Sequence, residues 1–243
     1  MKIEALNWDS EFFGLGVGRL ELQADDELDA PEFLRLADDR RFDLIYVIRQ
    51  QHMLAGAVLS ECALELMDVQ LTMSQPFDRL EHASRPYVFR QKLSESELAQ
   101  CYAIAEQTSV VSRFHREPLV GPEMTRALYR RWVDSALDGA LANGLLAIEQ
   151  EGRIMGIHLI RTDAQQKVGH CSVIGVDAAY KRLNIGRQLW QQAFGYWANE
   201  TDVQTCKVPF SLQNAESLNF HLKMGFSKVD QVRYTYHFRR GSK

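Results

Sequence analysis

The stretch that most restricts what this chain can fold into is Tyr180 to Trp190, YKRLNIGRQLW, where a strand hands over to a helix. The segment before it, Val168 to Val176, is short and rich in β-branched residues. After it, Leu183, Arg187, Trp190, Ala193, Phe194 and Trp197 recur at helical spacing. A helix start of this kind is an anion site, because first-turn N–H groups lack internal partners and the peptide dipoles leave about half a positive charge there. The basic pair Lys181 and Arg182 adds charge, and Gly186 lets a phosphate approach closely. Taken alone, the run is equally an ordinary helix with basic residues at its start.

A second motif, NAESLNFHLKMGF from Asn214 to Phe226, follows a strand-like segment, Thr205 to Phe210. It reads as a helix of about two and a half turns closed by Gly225, since glycine accepts left-handed dihedrals cheaply. Leu218, His221 and Leu222 then share a face.

With these two motifs in this order, the chain resembles the GNAT family of acyl-CoA N-acyltransferases over Leu98 to Phe238. That family carries R/Q-x-x-G-x-G/A between its fourth strand and third helix, then an Asn, a Tyr seven residues on, and a Gly-Phe pair. Here the first motif reads Lys181-x-x-Asn184-x-Gly186. The second keeps Asn214 and Gly225-Phe226, and has His221 in place of the Tyr. LNWDSEFFG near the start, SRFHREP at Ser112 to Pro118, LYRRWVDSAL at Leu128 to Leu137, and KVPFSLQN extend the likeness. They resemble the dTDP-fucosamine acetyltransferase branch, which acylates amines of nucleotide-linked aminosugars for surface polysaccharide synthesis.

The resemblance implies an α/β fold with a mixed, splayed central sheet, preceded by a smaller α/β domain. The expected division is 1–92 for the N-terminal domain and 93–243 for the acyltransferase domain. Before the boundary the patterning suggests strands near Met1 to Leu6, Gly18 to Leu22, Asp43 to Ile48 and Leu64 to Thr72, with a helix at Pro31 to Asp39. Glu81 to Lys92 breaks the periodicity and reads as a linker. Ser94-x-x-Glu97 is a capping box for a helix, and a second helix begins near Pro122. A hairpin at Ala147 to Glu149 and Ile154 to Ile160, the strand Val168 to Val176, and a final strand pair including Arg233 to Phe238 complete the order. That pair offers either an edge for homodimer formation or completion of the sheet.

In the family fold the fourth and fifth strands splay, and the pantetheine arm of acetyl-CoA, or of another acyl-CoA, pairs with exposed backbone of the fourth. Here that backbone would come from Ile174 to Val176, with the pyrophosphate on amides from Arg182 through Asn184, Ile185 and Gly186 to Arg187. Lys181 supplies charge, and Asn214 bonds the pantetheine or caps its own helix. Standing at the Tyr position, His221 is the candidate general acid. His170, eleven residues before Lys181, is the candidate base, at the offset where some members place a Glu. Arg113 and His115 are candidates for the sugar-nucleotide phosphates. Trp8, Phe12 and Phe13 either wall the sugar pocket or fill the N-terminal core, and core is the reading preferred here. Another amine acceptor, or a degenerate member binding acyl-CoA without turnover, remains the alternative.

At 46% hydrophobic residues over 243 positions the chain can build a packed core, and its net charge of −4 gives no basic footprint for nucleic acid. No apolar run reaches the ~18 to 20 residues of a membrane span. The start lacks a signal peptide's pattern, so a cytoplasmic protein is expected. Cys62, Cys101, Cys171 and Cys206 are scattered like core residues of a reducing compartment, and no spacing suggests a metal site.

Overall fold

The computed structural model describes residues 1–77, 86–139 and 143–241, so the expected linker lies outside the described residues up to position 85. The elements run β1 (Glu4–Ala5), α1 (Asn7–Phe13), β2 (Val17–Leu22), α2 (Ala30–Asp39), β3 (Leu44–Gln50), α3 (Gly56–Glu61) and β4 (Glu65–Pro76). They continue as β5 (Phe89–Arg90), α4 (Glu95–Ser109), α5 (Arg113–Arg116), α6 (Gly121–Leu137), β6 (Gly144–Gln150), β7 (Arg153–Asp163) and β8 (Val168–Val176). The chain closes with α7 (Ile185–Glu200), β9 (Thr205–Ser211), α8 (Ala215–Lys223) and β10 (Lys228–Arg239).

Local chemistry sets these boundaries. Ser94 and Glu97 form the expected capping box at α4, each satisfying an amide the helix leaves open. Asp29 caps α2 by accepting from the Glu32 amide at 2.9 Å, with Pro31 in the first turn. At the end of α8, Gly225 takes φ +98°, a conformation costly for any residue with a Cβ.

Among the described residues ten strands form one mixed sheet in the order β1-β2-β3-β10-β4-β9-β8-β7-β6-β5. The expected final strand pair is a single strand of 12 residues, interrupted by bulges against β4 rather than by a turn. The order β-α-β-α-β occurs twice, as β2-α2-β3-α3-β4 and as β8-α7-β9-α8-β10, with a parallel first pair each time. The last strands are exchanged. β4 pairs with β9 of the second unit, and β10 pairs with β3 of the first.

Burial follows the layers. Trp190, Phe194, Trp197 and Phe226 are sealed between the second unit's helices and the sheet, while α4 and α6 cover Leu145, Ile157 and Leu159 on the opposite face. Each aromatic of this size removes roughly 150 to 250 Å² from water, so these rings dominate the second unit's core. A Cβ at Gly169 would stand 2.6 Å from the Trp197 ring, so only glycine admits that contact. Phe13, Tyr46, Phe114 and Leu128 form a separate cluster where α1, α5 and α6 meet β3.

Candidate active site

The sheet opens between β8 and β9. They pair in parallel only at Val168↔Thr205, Gly169↔Cys206 and His170↔Lys207, then separate. On its other side β8 stays paired with β7, but Leu159 faces Val173 and Ile160 faces Cys171, which leaves Ser172 as an extra residue. A bulge bends its strand and raises the local twist. This one falls directly after the last β8–β9 pair and turns β8 away. In β9, Pro209 has no N–H to give to a ladder. The backbone from Cys171 to Val176, including the Ile174 to Val176 segment expected to bind pantetheine, therefore borders a slot.

The turn into α7 has two left-handed residues, Arg182 (φ +66°) and Asn184 (φ +59°). Asparagine is among the few side chains that tolerate this conformation, which accounts for its standing where the family has glycine. Asn184 is the N-cap, yet its side chain makes no capping bond and only its carbonyl is used, by Gln188 N–H at 3.0 Å. The first-turn amides at Ile185 and Gly186 are thus not covered by the cap side chain. Gly186 answers to packing as well as to ligand approach, since a Cβ there would lie 3.1 Å from the Phe220 ring of α8. Lys181 is drawn sideways into a solvent-exposed ion pair with Glu216 at 3.0 Å.

A cavity of about 220 Å³ occupies the slot, and among its lining residues are Asp68, Arg113, Ser172, Ile174, Asn214 and His221. Four sequence-predicted residues are thus brought together. Asn214 caps α8, its Oδ1 accepting from the Ser217 amide at 3.0 Å. His221 is 1% exposed, stacked on Phe210 and edge-on to Trp190 and Phe226. Burial holds its pKa at about 4, so the ring is neutral near pH 7. Its Nδ1 lies 2.8 Å from the Ser217 carbonyl, which fixes the proton on Nδ1 and leaves Nε2, buried and without a partner among the described residues, as an acceptor.

His170 and His115 are not among the lining residues. His170 stands where β8 and β9 are still paired. Burial first, then the charges of Arg161 and Lys207, lower its pKa to about 4. His115, on the short α5, is partly buried, and its Nδ1 has no partner among the described residues.

A second cavity of about 380 Å³ is walled by Trp8, Asp9 and Phe13 of α1 and shares Arg113, Phe114 and Trp132 with the first. Arg113 thus sits at the junction. Its guanidinium lies 4.2 Å from the Phe114 ring centroid and 5.1 Å from that of Tyr46, an arrangement attractive to a cation. Nε is shut off from water without a partner among the described residues, and burial lowers the guanidinium's pKa. Phe13 is core as expected. Trp8 is not, remaining 44% exposed and stacked on Phe12.

Sequence reasoning missed Asp68 and Tyr129, both lining the slot cavity. The available signal was an acidic residue inside the apolar segment LMDVQL. Burial raises the pKa of all four cysteines, Cys171 in the cavity included, so none is a ready thiolate. Among the described residues no cluster of three metal-ligating side chains occurs, and no helix is long and apolar enough to cross a membrane.

A slot between two parallel strands, beside an uncapped helix start, fits an acyl-CoA arm and its pyrophosphate. The sequence agrees, because residues 84–226 match the model of the acetyltransferase (GNAT) family, and the chain belongs to that family. It is an acyl-CoA N-acyltransferase. No curated protein gives a significant match. Its fold is similar to that of a conserved protein of unknown function from Staphylococcus epidermidis, at TM-score 0.63 and 11% identity, covering 92% of this chain and 83% of that one. It is also similar to an N-acetyltransferase of the family from Kribbella flavida, at TM-score 0.55 and 14% identity, covering 93% and 82%. A tandem GNAT protein from the clavulanic acid biosynthesis pathway gives TM-score 0.55 at 11% identity, covering 95% and 77%.

Proposed function

We propose that the chain transfers an acetyl group, or a longer acyl group, from acyl-CoA to the amine of a nucleotide-linked amino-dideoxysugar in the cytoplasm. The observation that carries this reading is the second, aromatic-walled cavity, which shares Arg113, Phe114 and Trp132 with the slot cavity. A small amine needs no such room. A sugar nucleotide brings a flat base for Trp8, a phosphate for Arg113 and an amine that reaches the slot. In this reading residues 1–92 are an acceptor domain, contributing Trp8 and Asp68, and residues 93–243 are the acyltransferase domain.

Acyl transfer requires the amine to attack the thioester and the sulfur to leave as a thiol, whose reference pKa of about 8.5 makes positioning a large part of the task. His221 handles the second proton. Because it rests neutral, Nε2 takes that proton from the nitrogen after attack and passes it to the departing sulfur. The backbone of β8 and the amides after Asn184 hold the donor.

Purified protein incubated with acetyl-CoA and a panel of dTDP-, UDP- and GDP-linked 3-amino- and 4-amino-dideoxysugars tests the reading, with free thiol and product mass followed. Turnover on one sugar is expected. Thiol release from none of them, with acetyl-CoA still bound, overturns the sugar assignment in favour of another amine acceptor or a non-catalytic binder.

A further inference from the structure

We propose that Asp68 and Arg113 form one seat of two signs for the acceptor, the carboxylate receiving its amine and the guanidinium its anionic group. The inference rests on the acceptor reading above and deepens it by assigning the amine contact to Asp68 of β4.

Asp68 is 7% exposed, and Ser211 Oγ at 2.6 Å is the one hydrogen-bond donor it has among the described residues. A carboxylate can accept about four such bonds, and a nearly sealed one with a single neutral donor is poorly compensated. Arg113 likewise lacks a partner of opposite charge in contact with it. Among the described residues it has no hydrogen bond and no ion pair within 4 Å, only the faces of Tyr46 and Phe114. The two groups line one cavity and feel each other's field, yet they do not touch. Opposite charges that merely neutralise one another close up into a pair. Charges held apart across a cavity fit a ligand that carries both signs.

The aim of Asp68 is built into its strand. Thr235 faces Asp68 while Tyr236 faces Leu66, so Met67 is an extra residue and the bulge redirects the side chain beside it. Ser211, its donor, ends β9 on the open side of the slot, and Ser172, Asn214 and His221 border the same cavity. An amine held by Asp68 therefore lies in the cavity that the acyl thioester enters.

In the reaction a nitrogen–carbon bond forms at the thioester carbonyl and the carbon–sulfur bond breaks. An ammonium acceptor gives up two protons, one to the solvent before attack and one to the sulfur. Asp68 accepts hydrogen bonds from the nitrogen throughout and directs its lone pair.

The test compares Asp68→Asn and Arg113→Gln with the full wild-type chain, using dTDP and a dTDP-linked 4-amino-dideoxyhexose in the presence of CoA. Asparagine can still accept from Ser211, so the fold is kept, and an unchanged CoA affinity verifies this. Asp68→Asn should weaken the aminosugar nucleotide about tenfold or more, in both affinity and kcat/KM, and leave dTDP within twofold. Arg113→Gln should weaken both ligands. Equal effects of Asp68→Asn on the two ligands, or none on the amine, would overturn the seat. If wild-type protein binds neither nucleotide, the sugar reading fails separately, and 6-aminohexyl phosphate against hexyl phosphate decides. Selective loss of the amine by Asp68→Asn upholds the seat, whereas an equal loss, or no binding by the wild type, removes it.

Discussion

The two β-α-β units of this molecule, β2-α2-β3 and β8-α7-β9, share an order and a parallel pairing but differ at the place where a ligand would enter. β2 and β3 are paired along the whole of β2, from Val17↔Leu44 to Leu22↔Arg49, without a bulge. β8 and β9 part after His170↔Lys207, at the extra residue Ser172. Their helices differ in the same sense. α2 begins under the Asp29 carboxylate with Glu32 in its first turn, so its positive end is already occupied. α7 begins after a left-handed asparagine whose side chain makes no capping bond. The parallel unit alone therefore does not make a cofactor site. A bulge opens the strands, and a cap that withholds its side chain leaves the helix end available.

The comparison can be broken most severely by deleting Ser172. Without the extra residue β8 should run straight beside β9, with Cys171 and Val173 still opposite Ile160 and Leu159, and CoA affinity measured by calorimetry should fall more than a hundredfold. The next effect depends on pH. His158 and His221 flank Trp190 in the second unit, and burial lowers their pKa values to about 3 and about 4, against an ordinary value of 6.5. Below pH 6.5 the unfolded chain binds protons that the folded one does not. This contribution is therefore complete above pH 6.5 and lost as pH falls towards 4, by about 1.4 kcal/mol per pH unit for each histidine. Urea unfolding at pH 6.5 and 5 should show it, and His158→Phe should reduce the slope by one histidine's share. Smaller still is the exchange of caps. Asn184→Asp gives α7 the carboxylate that α2 carries, and should weaken CoA about tenfold, more at low salt. Its mirror, Asp29→Ala, should lower stability by about 1 kcal/mol and leave CoA affinity unchanged.

What could be read from the sequence follows the same division. Periodic elements were legible: the capping box at Ser94, the proline in the first turn of α2, the stripe of α7 and the glycine that ends α8 each have a local cause. α1 was not, because NWDSEFF has no capping side chain before it and its aromatics mimic a core cluster. β10 looked like two strands because its bulges interrupt the alternation. Of the expected site residues, Asn214, His221, Ile174 and Arg113 line one cavity, whereas His170 and His115 do not. The acidic residue inside LMDVQL marked Asp68 in the sequence, but the way it faces was hidden for a physical reason. Which way a strand residue faces depends on the register with its neighbours, and here that register is set by a bulge against a strand some 170 positions further along the chain.

The exchange of final strands has a consequence for the order in which the molecule can be made. β10 lies between β3 and β4, pairing Arg239 with Leu44 and Tyr236 with both Val47 and Leu66. While the chain is being synthesised, β3 and β4 are complete long before β10 and β9 exist, so the apolar runs LIYVI and LMDVQLTM emerge with open hydrogen-bonding edges. Contacts of such long range form slowly, since the loop between the partners must close first. The nascent first unit is thus a waiting template. Residues 205–239 cover those edges, and until they arrive β3 and β4 present open hydrogen-bonding edges to other chains.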